Sequence, residues 1–210
     1  MINRRQFGKA LLATGIMLAG GVTTPKVRTA QQYTPEMTDD GLHTQPWFMQ
    51  TFLDLAEDLE EARSQGRRFA IVWEQKGCPY CREMHYVNLA RPEINEYVRN
   101  HFGIVQLNLW GAREVTDFDG ETLGERKLAL KWRVNFTPTI QFFPESVEKA
   151  EAKSGADLEV ARMPGYFKPF HFISMFEFIN DKVYERATFQ RYLQEKFAAL
   201  KAKGIEPDTW

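Results

Sequence analysis

The chain has 210 residues, 27 Lys plus Arg against 28 Asp plus Glu, and a formal net charge of −1. With charges nearly cancelling, nothing suggests the basic surface of a nucleic-acid binder, and partners should be recognised by shape and local chemistry. Sixteen Phe, five Trp and unexceptional Gly and Pro make a globular composition with no repeat or low-complexity tract. The length suffices for one domain with a true core plus extensions.

In chain order, residues 1–30 do not read as fold. Arg4 and Arg5 precede Phe7, and a modest apolar run, Ala10 to Val22, follows, diluted by Thr14, Gly15, Gly20 and Gly21. The run falls short of the ~20 apolar residues that span a bilayer. The segment resembles a bacterial twin-arginine export signal, which implies a periplasmic protein. Ala19-Gly20-Gly21 offers the small residues a cleavage site needs, whereas Arg28-Thr29-Ala30 has a bulky cation there; an uncleaved anchor stays open. Residues 31–45, with Pro35, Gly41 and Thr38-Asp39-Asp40, have linker composition.

The main domain is expected over 46–185. Phe48, Phe52, Leu55, Leu59 and Ala62 fall at helical spacing and predict a helix from Trp47 to Ser64. Phe69 to Trp73 is apolar throughout, as in a strand buried on both faces. Ile94, Tyr97, Val98, His101 and Phe102 predict a helix after Pro92, and Gly103 to Trp110 a parallel strand. Gly111 to Thr122 reads as turn, Leu123 to Trp132 as helix and Thr139 to Phe143 as strand. Glu145 to Asp157 is a charged connection, and Glu159 to Met163 an edge strand closed by Pro164-Gly165. A helix follows over Pro169 to Ile179. A C-terminal helix, Thr188 to Lys203, and a tail occupy 186–210, with Gly204 placed as a left-handed cap. The aromatic run Phe167 to Phe178 is most simply core, with a docking face as the alternative.

The chain is organised around Gly77-Cys78-Pro79-Tyr80-Cys81, which holds its only two cysteines. Strand, turn and helix put Cys78 at the N-cap and Pro79 at the first helical position, where a missing N–H costs nothing. The free N–H groups and positive end of the helix then favour the Cys78 thiolate. Cys81, one turn inward, is placed to attack a mixed disulfide formed at Cys78. A structural staple is the weaker reading, because so short a loop stabilises by only ~2 kcal/mol against ~4.7 for one of about 100 residues. Structural zinc needs a second ligand pair, and no further cysteine exists. The pair itself supplies the redox chemistry, with no other cofactor.

Strand, Cys-Pro-x-Cys helix, strand, helix, Phe136-Thr137-Pro138-Thr139, hairpin and closing helix resemble the thioredoxin superfamily from about Phe69 to Asn180. The resemblance implies an α/β thioredoxin-like fold, a central mixed sheet flanked by helices, with N- and C-terminal helical extensions. More narrowly, Gly77 to Cys81, Trp110 to Glu121, Phe136 to Thr139 and Pro164 to Pro169 look like the SoxW-type periplasmic thioredoxins of sulfur-oxidation systems. That likeness implies a thiol–disulfide oxidoreductase with Cys78 attacking and Cys81 resolving. It further implies a cis Thr137-Pro138 bond beside the pair, able to bind a substrate chain like an added strand. Pro79, Tyr80 and Gly165 support the site, Gly165 by letting that chain approach closely. The implied partners are a protein disulfide or a cysteine-bearing sulfur carrier, and a membrane thiol transporter as electron donor.

The sequence departs from cytosolic thioredoxins at Val72, where those have an aspartate, so Glu74 becomes the candidate proton acceptor for Cys81. The tryptophan usual before the motif is replaced by Gly77, and the Cys-Pro-Tyr-Cys tetrad is glutaredoxin-like without evident glutathione-grasping residues. A disulfide-introducing oxidase is the alternative direction of electron flow. A copper-binding module using Cys78, Cys81 and His85 is the alternative of another class, weighed against His85 as a surface helix residue.

Overall fold

The computed structural model describes residues 33–147 and 153–207. The export-signal reading of residues 1–30 lies outside them.

The described chain opens with a small hairpin, β1 (Glu36–Met37) and β2 (His43–Thr44). It turns at Gly41, whose φ of 82° suits a residue without a side chain. This segment was expected to be a linker. It is folded: Leu42, Thr44 and Gln45 are buried against the domain. Polar composition misled here because two of the polar side chains are interior.

The first helix also differs from expectation. α1 spans Leu55–Ser64, starting eight residues after Trp47, because Asp54 caps it by accepting from the Ala56 and Glu57 N–H groups. The preceding Leu53 takes φ 62°, incompatible with a continuing helix, and Phe52 lies fully exposed. The 3.6-residue spacing of Phe48 and Phe52 was coincidental.

β3 (Arg68–Glu74) is buried at every position. α2 (Pro79–Glu83) runs directly into a π-helical turn at Met84–Asn88. α3 (Pro92–His101) then leads into β4 (Phe102–Asn108). The segment read as a turn, Gly111 to Thr122, contributes a hairpin, β5 (Glu114–Thr116) and β6 (Thr122–Gly124). α4 (Glu125–Lys131) and β7 (Thr139–Phe142) follow. The charged connection contains a short helix, α5 (Gly155–Leu158), capped by Ser154. That helix displaces the last strand, β8 (Ala161–Pro164), two residues beyond its expected start. α6 (Pro169–Asn180) and α7 (Phe189–Ala202) complete the chain. No described helix is long and apolar enough to cross a membrane.

The central sheet has the order β4-β3-β7-β8, with β3 parallel to β4 and antiparallel to β7, and β8 antiparallel to β7. It is therefore mixed, as the sequence predicts. Strand alternation sends Ala70 and Val72 to one face and Phe69, Ile71 and Trp73 to the other. The first face packs with Met84, Leu89, Val98, Phe172 and Phe176 from α3, α6 and the turn after α2. The second packs with Leu55, Leu59, Leu128 and Trp132 from α1 and α4. Helices thus cover both faces, each buried large side chain contributing about 1.5–3 kcal/mol. Phe170, Phe172, Phe176 and Phe178 are all buried in the core, while Phe167 at the start of the run is half-buried.

Candidate functional site

β3 ends at Glu74, and the turn that follows delivers Cys78 to the N-cap of α2 with Pro79 at its first position. The Cys78 N–H donates to the Gln75 carbonyl at 3.3 Å, closing this turn, and Gly77 takes φ 74° within it. Cys78 and Cys81 form a disulfide with Cα atoms 5.2 Å apart. The Cys81 N–H donates to the Cys78 Sγ at 3.0 Å. A sulfur at this position receives both a backbone donor and the positive end of the helix, which together stabilise it as a thiolate when the bond opens.

The second sequence motif lies against the first. Thr137-Pro138 is cis. The Thr137 hydroxyl donates to the Cys78 Sγ at 3.3 Å, and the Thr137 carbonyl oxygen is 3.6 Å from the same sulfur. Pro138 offers no N–H, and its carbonyl accepts from Gly165 N–H at 2.8 Å. Gly165 holds φ 81° with open space where a Cβ would stand. Its loop is tied to the dithiol helix: Tyr166 Oη donates to Asn88 Oδ1, and Asn88 Nδ2 donates to the Phe167 carbonyl at 2.8 Å. Exposed Tyr80 lies parallel to Tyr166, ring centroids 6.3 Å apart. The structure thus brings Cys78, Cys81, Pro79, Tyr80, Thr137, Pro138 and Gly165 together.

Glu74 lies beneath them and is fully buried. Its Oε1 accepts from His85 Nε2 at 2.9 Å and from Gln106 Nε2 at 2.8 Å, while Oε2 has no partner among the described residues. His85 is equally buried, so its reading as a surface helix residue is corrected. Asn95 Nδ2 donates to the Leu89 carbonyl, which fixes that amide; it also donates to Gln45 Oε1. Gln45 Nε2 must therefore donate to His85 Nδ1, at 3.1 Å, leaving the Nε2–H tautomer to donate to Glu74. Both ring nitrogens are engaged, so His85 does not join the cysteines as a copper ligand. Among the described residues no group of three or more His, Cys, Asp or Glu is arranged to hold a metal ion.

This buried network is what sequence reasoning missed. Its signals were a carboxylate ending a strand that is buried at every position, and a histidine four residues after Cys81 on the same helix. A buried charge requires partners, and here the helix packed over the strand end and the adjacent strand supply them. His43, on β2, also approaches, its ring 6.0 Å from that of His85. Burial, and then the neighbouring His85, hold the His43 imidazole below its usual pKa, with Glu74 pulling the other way.

A dithiol at a helix N-terminus beside a cis-proline loop, on this mixed sheet, defines a thiol–disulfide oxidoreductase of thioredoxin-like fold. The family model described as a thioredoxin-like domain matches residues 55–180, and the chain belongs to that family. Among solved structures it is similar to a thioredoxin-fold protein from Helicobacter pylori, 22% identical with a TM-score of 0.45 over 66% of this chain and 85% of that one. A thioredoxin from Thermus thermophilus is 21% identical, TM-score 0.44, over 60% and 83%. The C-terminal domain of Neisseria meningitidis DsbD, in the oxidised form, is 15% identical, TM-score 0.39, over 59% and 90%. No curated protein matches the chain.

Proposed function

We propose that the chain is an exported, periplasmic reductase of protein or carrier disulfides, of the SoxW type. The observation that carries the dithiol exchange in this reading, whichever way the electrons flow, is the pair of donors, Cys81 N–H and Thr137 Oγ1–H, aimed at the Cys78 sulfur. They single out Cys78 as the nucleophile and leave buried Cys81 as the resolving thiol.

In the reduced enzyme the Cys78 thiolate attacks one sulfur of a partner disulfide. A Cys78–partner bond forms, the partner's own bond breaks, and the departing sulfur takes the electron pair and a proton. Cys81 then gives up its proton and attacks the Cys78 sulfur, forming the Cys78–Cys81 bond and releasing the second partner sulfur as a thiol. Two electrons pass to the partner with two protons, one that left Cys81 and one from solvent, and a membrane thiol transporter returns two electrons to the dithiol. We assign receipt of the Cys81 proton to Glu74, supported by its burial on the sheet face that the dithiol helix covers. The twin-arginine-like segment and the Phe136 to Thr139 and Pro164 to Pro169 motifs support export and the sulfur-oxidation setting, with a cysteine-bearing sulfur carrier as client.

The donors on Cys78 also favour a second reading, a disulfide-introducing oxidase, because stabilising the thiolate stabilises the reduced enzyme. The reduction potential separates the two: about −270 mV for a reductant, about −120 mV for an oxidant. Cys81→Ser is expected to accumulate clients as covalent adducts on Cys78, identifying them by mass spectrometry. Full exchange activity in Cys78→Ser would overturn the assignment of roles.

A further inference from the structure

Four large apolar side chains on this molecule are more than half exposed around one reacting centre: Tyr80 at 60%, Trp110 at 62%, Leu130 at 67% and Phe136 at 52%. Trp110 is nevertheless held in place. Its Nε1–H donates to Gln75 Oε1 at 2.8 Å, on the turn whose carbonyl binds the Cys78 N–H. The Arg126 guanidinium lies 5.2 Å over its ring. An exposed indole fixed from both sides is a preorganised wall.

Between Trp110, Leu130 and Val134 lies a depression of about 180 Å³, room for one large apolar side chain. Buried Leu109 and Ala129 and exposed Asn135 also line it. From Asn135 the chain runs directly through Phe136 to Thr137, which touches the Cys78 sulfur. The depression is therefore continuous with the surface any partner disulfide must occupy. Arg126 also lines it and, among the described residues, makes no ion pair with a carboxylate.

We propose that this depression selects the client: an extended polypeptide that presents, beside its reacting cysteine, a large apolar side chain to the Trp110–Leu130 wall and a carboxylate to Arg126. The inference rests on the dithiol reading and adds to it a specificity determinant outside the Cys-Pro-x-Cys and Thr-Pro motifs. A single apolar side chain entering such a pocket discriminates by about tenfold or more. The unpaired guanidinium adds a preference for acidic over basic neighbours.

The test uses the full chain, pre-reduced, in single-turnover reactions with short cysteine peptides capped as mixed disulfides with 2-nitro-5-thiobenzoate. The residues flanking cysteine are Leu and Glu, Ala and Glu, or Leu and Lys, each pair in both orders. The Leu/Glu peptide, in its better order, is expected to react about tenfold faster than either of the others. Trp110→Ala should erase the Leu-over-Ala ratio, and Arg126→Glu should reverse the Glu-over-Lys ratio. Equal rates across the panel, or a ratio that survives its substitution, would overturn the assignment of this pocket alone. A parent chain that reduces no capped peptide would overturn the dithiol reading, and this inference with it.

Discussion

Glu74 ends a strand whose every position is buried, and donors on two other segments reach it, with a third segment orienting one of them. His85 comes from the dithiol helix, Gln106 from β4, and Gln45 orients His85 from beyond the N-terminal hairpin. Burying such a group without donors costs several kcal/mol, so the network is needed for the carboxylate to exist there at all. Its unpartnered Oε2 leaves one oxygen for a further proton or donor. Glu74→Gln keeps the shape and an acceptor for His85 but cannot take a proton. We expect it to prolong the mixed disulfide at Cys78 on the order of a hundredfold, read as the decay of a fluorescent peptide adduct by stopped flow. An unchanged decay would remove Glu74 from the mechanism.

Single elements carry their own electrostatic signatures. α1 begins with Asp54, Glu57 and Asp58, which suits the positive end of a helix. Asp58 is the exception, because it is buried. Desolvation, with some repulsion from Asp54, Glu61 and Glu57, pushes its pKa up to about 7 against the hydrogen bond from Thr51 Oγ1. The folded state therefore binds a proton that the carboxyl has lost in the unfolded state above pH 3.8. Stability from this group is present below that value and is lost as pH rises toward 7. Asp58→Asn should weaken that loss, seen as a smaller drop in urea midpoint between pH 5 and pH 8 than in the parent. At α4 the balance is reversed. Lys131 Nζ bonds Asp117 Oδ2 at 2.7 Å, Asp119 Oδ2 at 2.5 Å and Glu121 Oε2 at 2.9 Å, tying the β5–β6 hairpin to the helix. Asp117 also accepts from Trp132 Nε1 and Gly155 N–H, so it joins α4 to α5. Lys131→Met strips the cation from a buried carboxylate. A destabilisation of about 3 kcal/mol is expected by chemical denaturation.

Across the whole molecule, the hairpin before residue 46 behaves as part of the domain. Leu42 and Gln45 are interior, and the His43 carbonyl accepts from Gln106 Nε2 at 2.6 Å. A chain trimmed to begin at Pro46 loses the Leu42 side chain from the core and the Gln45 donor from His85. We expect it to be less stable by about 3 kcal/mol, measured by thermal or urea unfolding against the same chain begun at residue 33. Equal stability would restore the linker reading. By contrast, α7 has no buried residue and meets the domain through Phe189 and Tyr192 against Phe178, and Lys196 against Glu177. The family match ends before it, at residue 180.

The local chemistry of the dithiol was readable from the sequence, because it depends on residues adjacent in the chain. Cys78 at an N-cap, Pro79 after it and Cys81 one turn on need only a strand-to-helix turn, and the structure has that turn. The central strands were equally plain, since β3 is buried on both faces and so reads as an unbroken apolar run. Contacts between distant segments decided the rest. Composition alone could not show that Gln45 and Leu42 are interior, that His85 meets Glu74, or that Leu53 stops the first helix at its start. A polar residue's burial depends on which donor the fold carries to it, and periodicity holds no information about that. Sequence thus determined the reacting sulfurs; only packing determined the buried acid beneath them and the walls a client would meet.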